Sequence, residues 1–530
     1  MKKNKTNIVI GFLVTCMVLS AVGLTGCGKS SVPDSIDDNY RTFYQIFVGS
    51  FSDSNNDGIG DLRGIINRFD YLNDGDVNSK TSLGVQGLWL SPIFSSPTYH
   101  KYDATDYYEI DWRFGTEEDL KELIALCNER GVKLILDLVI NHTSTQHEWF
   151  VNFKQARMAQ DTENEYYDYY SCVATAGKVG GVTYQKIGGV DCWYECNFSG
   201  EMPELNFDNP KVRQKTLDIA KYYLDLGVHG FRFDAIKYIY YGNTAKSVEF
   251  WEWYMDELYS YSPDIYCVGE CWSGESEILD YYGAMNCFNF AMSQSEGTVA
   301  SAAKGFSLSK YTNYIESYQD KVQAKNADGM VVGFLSNHDM DRIAGTFVTE
   351  GNMRMAANLY LLCTGSPVIY YGEEIGMKGS RGSANTDANR RLAMLWGDGD
   401  LVKNPTGSTY PAKNQIQTTI ADQAADKNSL LNYYRELLTI RHTYPAIARG
   451  EYHSLTTSHK NAGGFLIEYE GEAIGLFHNT STEEVTLDLS NIKGLDGYTF
   501  GKICDYIGMG KATLKGSTLT LGPQTSVIVR

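Results

Sequence analysis

From residue 42 the chain switches between two apolar patterns. "TFYQIFVGSF" (42–51) is continuous enough to predict a strand, and Leu62, Ile65, Ile66, Phe69 and Leu72 then recur at helical spacing. "GVQGLWLSPIF" (84–94) predicts the next strand. Thr116 followed by Asp119 resembles a capping box, Leu120, Leu123, Ile124 and Cys127 share one helical face, and Gly131 ends that helix. "VKLILDLVINH" (132–142) is almost uninterrupted in its apolar character, as a strand covered on both faces must be.

Residues 143–208 break the rhythm: they are polar and rich in Tyr and Gly, and predict an inserted subdomain. The alternation then resumes. Asn209-Pro210 opens a helix that runs to about Gly227. Further strands follow in "VHGFRFDA", "IYCVGE" (265–270), "MNCFNFAM" (285–292), "MVVGFLSNHD" (330–339) and "SPVIYYGEE" (366–374), with a Trp- and Tyr-rich helix at about 246–261. Eight strands, starting near 42, 85, 132, 228, 265, 286, 330 and 366, each followed by a connection, predict an α/β fold, a (β/α)8 TIM barrel. It would occupy 42–142 and 209–445. After a helix at about 427–444 the pattern changes to period two with frequent turn residues, which predicts a C-terminal antiparallel β-sandwich domain over 446–530.

The first residues lie outside this scheme. Lys2, Lys3 and Lys5 precede an apolar run from Ile8 to Leu24, the layout of a secretory signal. Its end, Leu24-Thr25-Gly26-Cys27, resembles a bacterial lipoprotein signal, so 1–26 are expected to be removed, Cys27 lipidated, and 27–41 left as a tether on the extracellular face of the membrane. Across 530 residues, 43% hydrophobic and 21% charged residues describe a globular chain, and a net charge of −19 argues against nucleic acid as a partner. Cys172, Cys192 and Cys196 fall in one segment, where a disulfide is open. Cys192-x3-Cys196 lacks a second ligand pair and argues against zinc. Cys267, Cys271, Cys287 and Cys363 read as packed thiols.

Function in such a barrel sits where strands end. There the sequence has Asp137, Asn141-His142, Arg232 with Asp234, Glu270, and Asn337-His338-Asp339. One acid in such a place is commonly tied up locally, as Arg232 could tie Asp234. Several acids at one mouth repel one another and shift their pKa values. Paired carboxylates suit glycoside hydrolysis, in which one acid keeps a proton to donate and another stays ionised to attack. Separately, "DSNNDGIGD" (53–61) begins like an EF-hand loop, but its twelfth position is Gly64 rather than Glu. It is either a cation-binding turn or a solvated Asx-rich turn.

"DLVINH", "GFRFDAIKY", "VGECW" and "FLSNHD" resemble, in order and strand position, the four short motifs of the α-amylase family, glycoside hydrolase family 13. "GLWLSPIF" and "MPELN" (202–206) resemble two more. The resemblance covers about 42–445 and points to the intermediate, oligo-1,6-glucosidase/neopullulanase-like branch. It implies Asp234 as nucleophile, Glu270 as general acid/base and Asp339 as the third acid gripping the sugar. It further implies that Arg232 orients Asp234, that His142 and His338 hydrogen-bond the sugar, and that Tyr102 stacks beneath it. Asp103 with Arg391 would bind the next sugar, and Lys237 would contact a sugar. By the same resemblance the 53–61 loop binds Ca2+ through Asp53, Asn55, Asp57, the carbonyl of Ile59, and Asp61. Lys237-Tyr238 departs from the Lys-His of many α-amylases, which argues against a second calcium site shared with Asn141.

The expected activity is retaining cleavage of α-1,4 links in starch or maltooligosaccharides by a monomer. An α-glucosidase, neopullulanase or transglycosylase of the same family is the alternative. A catalytically dead barrel would lack at least one of the three acids, and all three are present; a lipoprotein that merely captures glucan is the alternative of another class, which release of maltooligosaccharides would distinguish.

Overall fold

The computed structural model describes residues 38–175 and 181–530. The expected signal 1–26, Cys27 and most of the 27–41 tether lie outside the described residues.

Seven parallel strands form one sheet: Phe43–Ile46, Gly87–Leu90, Lys133–Leu138, Gly230–Phe233, Tyr266–Gly269, Asn286–Cys287 and Val368–Tyr370, with the last pairing back to the first. The remaining stave, seventh in chain order and centred on 332–334, is held by single parallel bridges, Phe288 to Val332 and Phe334 to Val368, and these close the barrel. The sequence predicts longer strands here. The sixth is cut short where Phe290 N–H donates to Phe288 O at 3.1 Å, a tight turn that leaves the seventh stave almost nothing to pair with.

The connecting helices form where their caps predict. Thr116 and Asp119 make a reciprocal capping box on helix Glu117–Glu129, and Asn209 caps Pro210–Asp225 with Pro at its first position. Gly230 starts the fourth strand at φ +143°, and a Cβ there would sit 1.9 Å from Tyr266 O, so only glycine allows these strands to pair so closely.

The inserted segment folds as helix Glu148–Ala159 and a three-stranded antiparallel sheet of Cys172–Val173, Trp193–Glu195 and Tyr184–Lys186. "MPELN" returns alongside the end of the third strand: His142 bridges Glu204, and Leu205 N–H donates to Asn141 O at 3.0 Å. This docks the insert over one side of the barrel mouth.

The C-terminal residues form a five-stranded and a three-stranded antiparallel sheet. Their period-two pattern is resolved by packing. Leu466, Phe477, Val527 and Val529 join Val485, Leu487, Leu519 and Leu521 between the sheets. Their alternates Phe465, Ile467, Leu476 and Ile528 face the barrel core.

Candidate active site

A cleft of about 1370 Å³ opens at the C-terminal ends of the barrel strands, bordered on one side by the insert. At its floor lies Arg232, wholly buried. Along Gly230–Phe233 the side chains alternate. Phe231 and Phe233 point outward, Phe233 onto Trp251 with ring centroids 4.8 Å apart, so Arg232 and Asp234 point in. Strand register sets Asp137 and Val268 on either side of Arg232. Arg232 Nη1 donates to Asp137 Oδ1 at 2.7 Å and to Asp234 Oδ1 at 2.6 Å, and Nη2 lies 3.3 Å from Glu270 Oε2. One guanidinium therefore gathers three carboxylates from three strands. Just after Asp234 the chain kinks through Ala235, left-handed at φ +52°, which turns its N–H toward Glu270 Oε2 at 3.2 Å. A non-glycine residue held in that region is strained by about 1–3 kcal/mol, and here the strain aims a donor at a cleft acid.

The acids do not share one electrostatic environment. Burial pushes the Glu270 carboxyl up to about 8, Arg232 opposes this, and Asp234 and Asp339 reinforce it. Burial also raises Asp137 to about 6 against the pull of Arg232. Burial alone would raise Asp339 too, but His338, Arg391 and Arg232 outweigh it and hold that carboxyl well below the usual range. Arg391 Nη2 donates to Asp339 Oδ1 at 2.7 Å, and Asp339 Oδ2 lies 2.9 Å from His338 Nε2. At neutral pH Glu270 keeps its proton while Asp339 is an anion.

The remaining expected residues divide. His142 and Tyr102 line the cleft, and His142 Nε2 lies 3.0 Å from Tyr102 O. The Tyr102 hydroxyl donates to Asp137 Oδ2 at 2.8 Å. Its loop is fixed by buried Lys101, left-handed at φ +67°, whose Nζ pairs with Asp111 at 2.8 Å. Lys237 also lines the cleft, its Nζ donating to Trp272 O at 2.7 Å. His338 differs from expectation. It is fully buried behind the cleft wall, stacked on Tyr102 and held 2.7 Å from Gln45 Nε2, so it positions Tyr102 and Asp339 rather than facing a sugar. Asp103 is buried, and its Oδ1 accepts from the hydroxyls of Ser96, at 2.8 Å, and Thr98. Arg391 is engaged with Asp339 and with the Tyr99 hydroxyl at 3.1 Å.

Sequence reasoning missed Gln45 and the aromatic wall of Phe198, Tyr238 and Trp272. Phe198 and Trp272 are 45% and 43% exposed, and Phe198 packs on Tyr238 with centroids 4.6 Å apart. Gln45 had a signal, since it is the polar residue inside an otherwise apolar buried strand. Phe198 and Trp272 come from irregular segments, where periodicity gives none.

The 53–61 loop lies away from the cleft and closes through Asx turns. Asp53 Oδ1 accepts from the N–H of Asn55 and Asn56, and Oδ2 from Gly58. Asn55 accepts from Asp57 N–H, and Asp57 from Ile59 N–H. Asp61 caps helix Leu62–Asn67 by accepting from Gly64. Among the described residues no three His, Cys, Asp or Glu side chains converge as a metal-binding group. The donor chemistry, all hard oxygens, does fit calcium. Burial pushes the Asp61 carboxyl up and the Asp53 charge adds to it, a repulsion that a cation would relieve.

A family profile described as "Alpha amylase, catalytic domain" matches residues 45–450. "Alpha-amylase 3" of Dictyoglomus thermophilum is 36% identical over 493 residues, 92% of each chain. A "4-alpha-glucanotransferase" of Thermotoga maritima is 31% identical, covering 84% of this chain and 97% of its own. The solved structure of "Eubacterium rectale Amy13B" superposes with a TM-score of 0.85 at 32% identity, covering 94% of this chain and 96% of its own. With its cleft, its three acids and these relatives, the chain belongs to the α-amylase family of glycoside hydrolases.

Proposed function

We propose that the protein hydrolyses α-1,4-glucosidic bonds of starch and maltooligosaccharides with retention of anomeric configuration. Glu270 donates its proton to the glycosidic oxygen while Asp234 attacks the anomeric carbon, and the leaving sugar departs as an alcohol. Glu270, now a carboxylate, takes a proton from water, whose oxygen displaces Asp234 from the opposite face. Asp339, held ionised, stabilises positive charge at the sugar ring. The observation that carries this reading is the shared contact of Arg232 with Asp234 and Glu270, in surroundings that leave Glu270 protonated. A time course of products from maltoheptaose, amylose and pullulan tests it. Short maltooligosaccharides should accumulate from the first two, and binding without product release would sink the hydrolase reading in favour of a glucan-binding lipoprotein.

Transfer to a sugar acceptor is the second reading. The exposed rings of Phe198 and Trp272 beside Tyr238 offer stacking faces for an acceptor. The resemblance to a glucanotransferase supports it. Products longer than the maltoheptaose supplied would identify that activity.

We also propose that the 53–61 loop holds calcium through Asp53, Asn55, Asp57, the Ile59 carbonyl and Asp61, and that the ion stabilises the fold rather than entering the chemistry. Chelation by EDTA should lower the melting temperature, and Asp57→Ala should lower it similarly and abolish the chelator's effect. An unchanged melt would remove the assignment.

Finally, the monomeric enzyme is proposed to be tethered through lipidated Cys27 on the outer face of the cell membrane. Cys27→Ser should release activity into the soluble fraction, and activity that stays soluble in the unaltered protein would contradict the anchor.

A further inference from the structure

In the inserted subdomain, Cys172 pairs opposite Tyr194 on the neighbouring antiparallel strand. Residues 192, 194 and 196 project from one face of that strand, the face shared with Cys172. Register therefore leaves two diagonal partners for Cys172: Cys192 and Cys196. The side-chain contacts separate them. Of the two, it is the Cys192 thiol that lies within interacting range of the Cys172 thiol. Cys196 has no such contact, and its thiol is pushed up to about 11 by burial with help from Glu204 and Glu195. All three cysteines are free.

We propose that Cys172 and Cys192 form a dithiol/disulfide site that closes the strands of the insert against each other. The chemistry is ordinary exchange with a small-molecule disulfide. The Cys172 thiolate attacks one sulfur of the oxidant and expels a thiolate. The Cys192 thiolate then attacks Cys172 sulfur and expels the second. Each cysteine loses one proton, and two electrons pass to the oxidant. Cys172 is suited to the attacking role. It is half-buried rather than sealed. Interaction with Cys192 and the Arg157 charge lower its thiol to about 7, against burial and the Asp168 charge, while the same interaction raises Cys192, so Cys172 is the better suited of the two to attack first.

The bond would close a loop of about 20 residues, long enough to restrict the unfolded chain substantially. It would also fix the strand Trp193–Glu195. That strand continues into Phe198, Ser199 and Met202 of the cleft wall. The inference is independent of the substrate reading.

The test uses the full-length protein, reduced, desalted and then incubated with oxidised glutathione at pH 8, with non-reducing peptide mapping by mass spectrometry. The expected result is a Cys172–Cys192 linked peptide, 2 Da lighter than the two reduced peptides together, with Cys196 unmodified, reversal by dithiothreitol, and a higher melting temperature in the oxidised form. Cys192→Ser should leave Cys172 glutathionylated and unlinked, whereas Cys196→Ser should keep the link. If either variant fails to fold, the unaltered protein's map decides. A Cys172–Cys196 link, or glutathione retained on Cys172 with Cys192 free, would overturn the proposal.

Discussion

Asp234→Asn should lower kcat/KM on maltooligosaccharides by about 10⁴-fold or more, in line with removal of a catalytic nucleophile. The amide keeps the shape of the carboxylate and a hydrogen bond from Arg232, so the fold should survive and the loss should be chemical. Glu270→Gln should be comparably damaged on natural substrates but should separate the two half-reactions. A glucosyl fluoride leaves without needing a proton, so its first step should be largely spared, while a maltooligosaccharide, whose leaving alcohol must be protonated, should show the full loss. If Glu270 is the acid, kcat/KM in the unaltered enzyme should also fall as pH rises through about 8, because the group works only while protonated. Glu270→Gln should remove that limb. A variant that treats both substrates alike would place the acid elsewhere.

The second large effect belongs to Arg232. Its guanidinium is wholly buried and touches Asp137, Asp234 and Glu270. Arg232→Met keeps much of the volume but leaves the buried Asp137 and Asp234 carboxylates, and the Glu270 carboxyl beside them, without their shared cation. Removing one partner of a buried ion pair costs about 3–5 kcal/mol. The expected outcome is a melting temperature lower by many degrees, or recovery of only aggregated protein. Arg232→Lys restores the charge but cannot bridge three acids with a planar fork, so it should regain part of the stability and little of the activity. A stable, active Arg232→Met enzyme would show that the acids are held together by something other than this residue.

Much of the architecture was legible because it depends on local rules. The capping box at Thr116 and Asp119, the Asn209-Pro210 start and the apolar 133–138 run each specify their element from a few neighbouring residues. The seventh stave was overread. An apolar run predicts burial, but strand length depends on a neighbour able to pair, and the sixth strand turns away at Phe290. The acids of the site were legible because polar residues are costly at the ends of buried strands. Their partners were less so. Asp103 lies next to Tyr102 in the text, and its carboxylate accepts from Ser96 and Thr98 while Arg391 donates to Asp339. His338 sits beside Asp339 but behind the wall, since only the third dimension says which neighbour faces the cleft. Similarly, the sequence marked three nearby cysteines, and strand register with side-chain contact was needed to single out two.

The central claim, that Asp234 attacks a sugar whose bond Glu270 protonates, is tested most directly by trapping the intermediate. A 5-fluoro-α-glucosyl fluoride should label the enzyme once, because the ring fluorine slows both formation and breakdown of the glycosyl-enzyme while the good leaving group restores the rate of formation alone. Peptic mapping should find the sugar esterified to Asp234. A label on any other residue, or an initial product of inverted configuration by proton NMR with no labelled protein, would contradict the account.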